Sequence, residues 1–141
     1  MEMSGSRRIA ARRETVWAAL NDPDILGRCI PGCEHLEKTS DTSFTATAKA
    51  AIGPVKAKFK GDVTLSEIDP PNGYRLTGQG SGGAAGFARG SARVALADVA
   101  DGTELTYTVE ANVGGKLAQI GARLIDGAAK KMADDFFARF S

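Results

Sequence analysis

From Cys33 to Val113 apolar residues recur at every second position, and this one periodicity restricts the chain to a fold built on an antiparallel sheet with one dry face. Phe44, Ala46, Ala48, Ala50 and Ile52 share a parity before Gly53-Pro54 turns the chain. In the next strand Val55, Ala57, Phe59, Gly61, Val63 and Leu65 take one side, and Lys56, Lys58, Lys60, Asp62, Thr64 and Ser66 the other. Asp69-Pro70-Pro71-Asn72-Gly73 and Asp101-Gly102 carry turn chemistry, and Leu105, Tyr107, Val109, Ala111 and Val113 alternate in the last strand.

On both sides of this block the period becomes that of a helix. Residues 12 to 20 place Val16, Trp17 and Leu20 on one face, and Asn21-Asp22-Pro23 stops that helix and caps a short second one over DILGRC. After Gly114-Gly115, Leu117, Ile120, Leu124, Ala128, Met132 and Phe136 form a stripe, which predicts one helix of about 25 residues, roughly 37 Å long. With 141 residues and no linker or internal repeat, the expectation is a single α+β domain over 1–141 whose long last helix crosses the sheet.

The stretch GQGSGGAAGFARG, residues 78 to 90, fits G-x-G-x-x-G through Gly78, Gly80 and Gly83. A dinucleotide site needs a helix to begin at the third glycine, and Gly86 and Gly90 would each cost that helix about 1 kcal/mol. Asp98 and Asp101 fall near the distance expected of a ribose ligand, yet Asp101 belongs to a turn. Parity accounts for the stretch better: the even positions from Tyr74 to Leu96 form an apolar face that has almost no side chains at its middle, through Gly78, Gly80, Gly82, Ala84, Gly86, Ala88 and Gly90. A turn near 83–87 would set Tyr74 and Leu76 beside Val94 and Leu96. Such a bare face suits either a last helix packed so closely that only Gly and Ala fit, or a cavity for an apolar ligand, and the cavity is the expectation.

Charge excludes some classes. Lys and Arg number 18 against 17 Asp and Glu, so no nucleic-acid partner is expected. There is no secretory signal and no apolar span long enough for a membrane, so the chain reads as soluble and cytoplasmic. Cys29 and Cys33 read as free thiols. His35 is the single histidine and reads as a surface residue, which removes most imidazole devices, and no catalytic or metal motif is present. Lys56, Lys58 and Lys60, with Lys49, make a basic stripe, either a solvated strand face or a surface for anionic lipid or an acidic partner. Phe136, Phe137 and Phe140 are too close in helical phase to share one core, so one of them is open to exposure at a cavity mouth.

The order of helix pair, antiparallel strands and long closing helix is that of the helix-grip fold of START and Bet v 1-like (SRPBCC) domains. The segments IPGCEHLEK (30–38), IGPVKAKFKGDVTLSEIDPPNGYRLTGQG (52–80), GGAAGFARGSARV (82–94) and VGGKLAQIGARLIDGAAKKMADDFFARF (113–140) resemble the family of the carbon monoxide dehydrogenase subunit CoxG, over nearly the whole chain. The resemblance implies a curved sheet of about six or seven strands wrapped round the last helix, with two short helices after a first strand. It also implies a non-catalytic accessory protein of a CO-dehydrogenase-type molybdenum hydroxylase, binding menaquinone or a similar isoprenoid quinone and associated peripherally with the inner face of the cytoplasmic membrane. Many members have a proline where this chain has Arg12 and run past the FFARF-like segment into a membrane-associating tail, where this sequence has Ser141.

On that reading the ligand walls are Val55, Phe59, Val63, Tyr74, Leu76, Leu105, Tyr107 and Val109 on strands, over a floor of Gly78, Gly80 and Gly82. The helix supplies Leu117, Ile120, Gly121, Leu124, Ile125 and Ala128, and Trp17, Leu26 and Ile30 stand near an opening. Tyr74, Tyr107 or a backbone amide is expected to hold a quinone carbonyl. The sheet parities contain no other inward ionisable group, so neither a catalytic residue nor a metal ligand is expected.

Overall fold

The structure, a computed structural model, describes residues 1–140. Seven antiparallel strands form one sheet in the order β1-β7-β6-β5-β4-β3-β2: β1 (Glu2–Ile9), β2 (Cys33–Ser40), β3 (Ser43–Ile52), β4 (Val55–Asp69), β5 (Gly73–Ser81), β6 (Phe87–Val99) and β7 (Gly102–Gly114). Helices α1 (Arg13–Leu20) and α2 (Pro23–Cys29) connect the two edge strands, as the helix-grip fold requires. The Asp22 carboxylate accepts from the Asp24 amide and Pro23 opens α2, so the expected cap is present.

β1 gives no periodic apolar signal. It is defined by pairing instead, from Glu2 opposite Glu110 to Ile9 opposite Thr103. Thr103 is fully buried, and its hydroxyl donates to the Ala11 carbonyl at 2.7 Å, fixing the path from β1 into α1. The core lies under α1 and α2, where Ile9, Val16, Leu20, Phe44, Leu65, Tyr74, Leu96 and Leu105 pack together.

Two local expectations are corrected. Gly83–Ala85 forms a single 3-10 turn between β5 and β6, and Tyr74 does lie opposite Val94, but Leu76 faces Ala92 and Leu96 faces Leu105. The Leu96 amide donates to the Asn72 carbonyl, so β6 continues past the start of β5. The last helix is also broken: α3 covers Lys116–Gln119 and α4 covers Ala122–Phe140. Gly121 at the break has φ +95, a backbone region that the α-helix does not use. The stripe read from the sequence is therefore divided between two segments. Leu117 on α3 is buried, whereas Leu124 and Met132 on α4 are 50% and 40% exposed.

Candidate functional site

Along β3 to β7 the inner face grows bulkier row by row. One row runs Ala46, Gly61, Gly80, Ala88, Val113, and the next Phe44, Val63, Gly78, Gly90, Ala111. Beyond them come Leu65, Leu76, Ala92, Val109, then Tyr74, Val94, Tyr107. The small rows make a trough, and the large ones make the walls of a chamber.

The chamber has a volume of about 310 Å3 and an almost wholly apolar lining. Of the residues expected from the sequence it brings together Leu26, Ile30, Val63, Tyr74, Leu76, Leu105, Tyr107 and Val109. It adds Met3, Leu20, Leu36, Phe44, Leu65, Ala92, Val94, Ala133, Phe136 and Phe137. Of these, Phe44, Leu65, Ala92 and Val94 share the inward parity and were legible from it, whereas Leu20, Ala133, Phe136 and Phe137 come from helices and Met3 depends on β1, which parity does not reveal. Trp17 stands behind the wall, its ring 5.3 Å from that of Tyr74.

No residue of α4 is fully buried. At Gly80 the only heavy atoms within 4 Å of an added Cβ would be the Lys60 carbonyl oxygen at 3.6 Å and Gly61 Cα at 3.9 Å, both on β4. The glycine floor is thus not a seat for the helix, and close helix packing is not what the bare face serves. Other glycines answer to their own neighbours. A Cβ would lie 2.6 Å from the Gln79 carbonyl oxygen at Gly61 and 2.3 Å from that of Glu110 at Gly90, so there the strands themselves approach closely. At Gly82 it would meet the Phe59 ring at 2.6 Å, so Gly82 accommodates Phe59 rather than lining open space.

The remaining expected wall residues lie apart from the chamber. Val55, Ile120 and Leu124 line a separate notch of about 460 Å3 with Pro54, Lys116 and Gln119, because the β3–β4 hairpin runs beyond the ends of β5 and β6 to meet α3 and α4. Leu117 is buried beneath α3, Gly121 forms the helix break, and Ile125 and Ala128 are half-buried on α4.

Two tyrosines bring the polar atoms. The Tyr74 hydroxyl donates to the Leu20 carbonyl at 3.4 Å, and burial pushes its pKa up to about 12. That hydroxyl therefore faces the α1 backbone in this structure. Tyr107 lines both the chamber and a polar crevice of about 300 Å3 between β1 and α4, alongside Arg7, Asp126, Lys130 and Asp134. Its ring stacks on Phe137, with 5.4 Å between centroids, and the Arg7 guanidinium lies over that same Phe137 ring and pairs with Asp134. Arg7 is an inward cation that the strand parities did not reveal. Phe136, Phe137 and Phe140 are all half-buried, Phe136 against Phe137 edge to face and stacked on Phe140, so none of the three is exposed.

On the outer face Lys56, Lys58, Lys60 and Lys49 are exposed as expected. Lys49 lies directly opposite Lys58, and Glu34 bridges them at 3.4 and 3.1 Å. The hydrogen bond from Lys58 is the main reason that the Glu34 carboxyl titrates below its ordinary value. His35 is exposed beside Glu37, and both cysteines are free, with burial raising the Cys29 pKa.

The family model for the carbon monoxide dehydrogenase subunit CoxG matches residues 5–141. Among solved structures, a conserved protein from Geobacillus kaustophilus is 38% identical, with a TM-score of 0.92 over 99% of this chain and 92% of that one. A protein of Nitrosomonas europaea shares the fold at 14% identity and a TM-score of 0.70, over 99% and 91% of the two chains. One from Chromobacterium violaceum does so at 21% and 0.61, over 78% of each. No curated protein matches.

Proposed function

Because the chain belongs to the carbon monoxide dehydrogenase CoxG family, we propose that it is a non-catalytic accessory protein that carries menaquinone or a similar isoprenoid quinone for a CO-dehydrogenase-type molybdenum hydroxylase, linking that enzyme to the membrane and the respiratory chain. The observation that carries this reading is an apolar chamber beside rows of the inner face that are mostly glycine and alanine, under a helix none of whose residues is fully buried. A protein that only tethered an enzyme would gain stability by closing such a gap.

The dimensions suit a ring with a tail. About 310 Å3 is at the small end of ligand sites and takes a ring system, with the tail left to lie along the glycine floor. Apolar contact supplies most of the affinity. Tyr107, at the junction of chamber and crevice, donates to a quinone carbonyl, with the Arg7 and Lys130 cations beside it. Tyr74 and Tyr107 are the only ionisable side chains in the chamber lining, which favours holding a guest over converting it.

Purifying the protein from membranes and extracting it for mass spectrometry tests this. A stoichiometric quinone is expected, with saturable uptake when the emptied protein meets added menaquinone. A clean extract and no uptake would leave a ligand-free adaptor as the better account.

A further inference from the structure

The sheet ends in two edge strands, and they differ. β2 follows β3 with register shifts between Cys33 and His35 and between Lys38 and Ser40, the kind of irregularity that keeps an edge from pairing. β1 follows β7 without a shift over all eight of its residues and contains no proline and no lysine. The Met1 amine donates to the Ala111 carbonyl at 2.9 Å, and the Ala111 amide donates back to the Met1 carbonyl at 2.9 Å. Hydrogen-bonded pairs alternate along an antiparallel ladder, so Met3, Gly5, Arg7 and Ile9 also direct their backbone groups to β7. Glu2, Ser4, Ser6 and Arg8 turn theirs away from the sheet.

That outward set is open. All four side chains are exposed, and the crevice between β1 and α4 is lined by every residue from Met1 to Gly5, of both parities, as happens where the rim of a strand is uncovered. The inward charge on β1, that of Arg7, is already compensated by Asp134. On the outer face Glu2 stands directly opposite Glu110, and like charges so placed destabilise a sheet. Among the described residues neither of these carboxylates meets a cation in an ion pair, and Arg8 meets no carboxylate in one.

We propose that β1 is a homodimer interface: the free edges of two copies pair antiparallel about a two-fold axis at Gly5, continuing the sheet from one copy into the other. The strand is self-complementary in this register. Glu2 meets the second copy's Arg8, Ser4 meets its Ser6, and Gly5 faces Gly5. Glu2, Ser4, Ser6 and Arg8 all carry the outward backbone groups, so these are hydrogen-bonded pairs. The second copy's Arg8 then stands beside Glu2 and offsets its repulsion by Glu110. Sliding either strand by two residues, to the next register with hydrogen bonds, loses both charge contacts, so this register is singled out. The occupant is a second copy rather than an unrelated strand, because the run from Glu2 to Arg8 presents opposite charges at its two ends and serines on each side of its centre.

Sedimentation equilibrium of the full chain from about 1 μM to about 1 mM tests this. A reversible monomer–dimer equilibrium is expected, and it should weaken as salt is raised. Ser4→Pro removes an outward N–H without touching the ladder to β7, so it should abolish the dimer while circular dichroism stays that of the parent. Glu2→Arg and Arg8→Glu each set like charges opposite one another and should weaken self-association about tenfold. An equimolar mixture of those two variants should pair about as tightly as the parent, because each supplies the charge that the other lacks; this arm holds even if Ser4→Pro fails to fold. A chain that stays monomeric over the whole range, whether or not it captures a foreign extended peptide, overturns the proposal. So does a dimer indifferent to both charge substitutions, or a mixture that stays monomeric. None of these outcomes bears on the quinone reading, which the extraction tests separately.

Discussion

The Tyr107 hydroxyl lies above Gly5 of the edge strand, where a Cβ would come within 2.6 Å of the oxygen and 2.8 Å of Cζ. Only a residue without a side chain lets the ring extend across β7 to β1 and place its polar atom at the end of the chamber. Gly5→Ala should therefore push the ring out of its stack with Phe137, destabilising the domain by about 1–3 kcal/mol as overpacking does. Tyr107→Phe keeps the ring and removes the donor, so it should leave stability nearly unchanged and weaken quinone binding roughly three- to tenfold. Urea melts and quenching of Trp17 fluorescence by added quinone read the two effects separately.

The glycines of the inner face should separate by mechanism. Gly80→Leu points into the trough, so the domain should fold and lose its guest. Gly82→Leu meets the Phe59 ring and Gly90→Ala meets the Glu110 carbonyl, so both should lower stability by more than about 1 kcal/mol whether or not a ligand is present. Melting temperatures with and without menaquinone check this. Ligand uptake by Gly80→Leu equal to that of the parent would remove the trough from the binding site.

Tyr74 makes stability depend on alkaline pH. Its folded pKa is about 12 against an ordinary 10.0, so the folded state holds the proton more tightly than the unfolded chain. The resulting stabilisation is complete below pH 10 and is lost as pH rises toward 12, a fall of about 2–3 kcal/mol. Denaturant melts across that window should show it. Tyr74→Phe should flatten the dependence, and a parent already flat would mean that the hydroxyl is not buried.

Glu34 acts at the other end of the scale. Its folded pKa is depressed, so what it contributes is present above the ordinary value of 4.5 and is lost as pH falls through the folded pKa. Protonation leaves Lys49 and Lys58 unscreened against each other across β3 and β4. Glu34→Gln should mimic this at neutral pH, with only a small loss of stability, because all three side chains are exposed. Urea melts of the variant and the parent, at neutral pH and below 4.5, read the difference.

Much of the site was legible because the sheet has period two. Parity alone selects Val63, Tyr74, Leu76, Leu105, Tyr107 and Val109, and these do face one chamber. What failed is what parity does not encode. Val55 and Leu65 share a face of β4, yet the first lies at a hairpin tip beyond the ends of β5 and β6 and the second in the core, since only the partner strands decide where that face is covered. Arg7 and Met3 lie on a strand whose composition gives no periodic signal and whose place comes from pairing with β7.

The sequence by itself determined the alternating strands, their turns, the cap of α2, the family, and the existence of an inner face bare of side chains, because each is a property of neighbouring residues. Only the tertiary structure decided what that bareness serves. It divided the last helix at Gly121 and left no residue of α4 fully buried, and it gave Gly61, Gly82 and Gly90 close neighbours inside the protein while leaving room for a side chain's first atom at Gly80. Whether a missing side chain makes a void or a close contact depends on atoms distant in the chain, and no local pattern carries that distance.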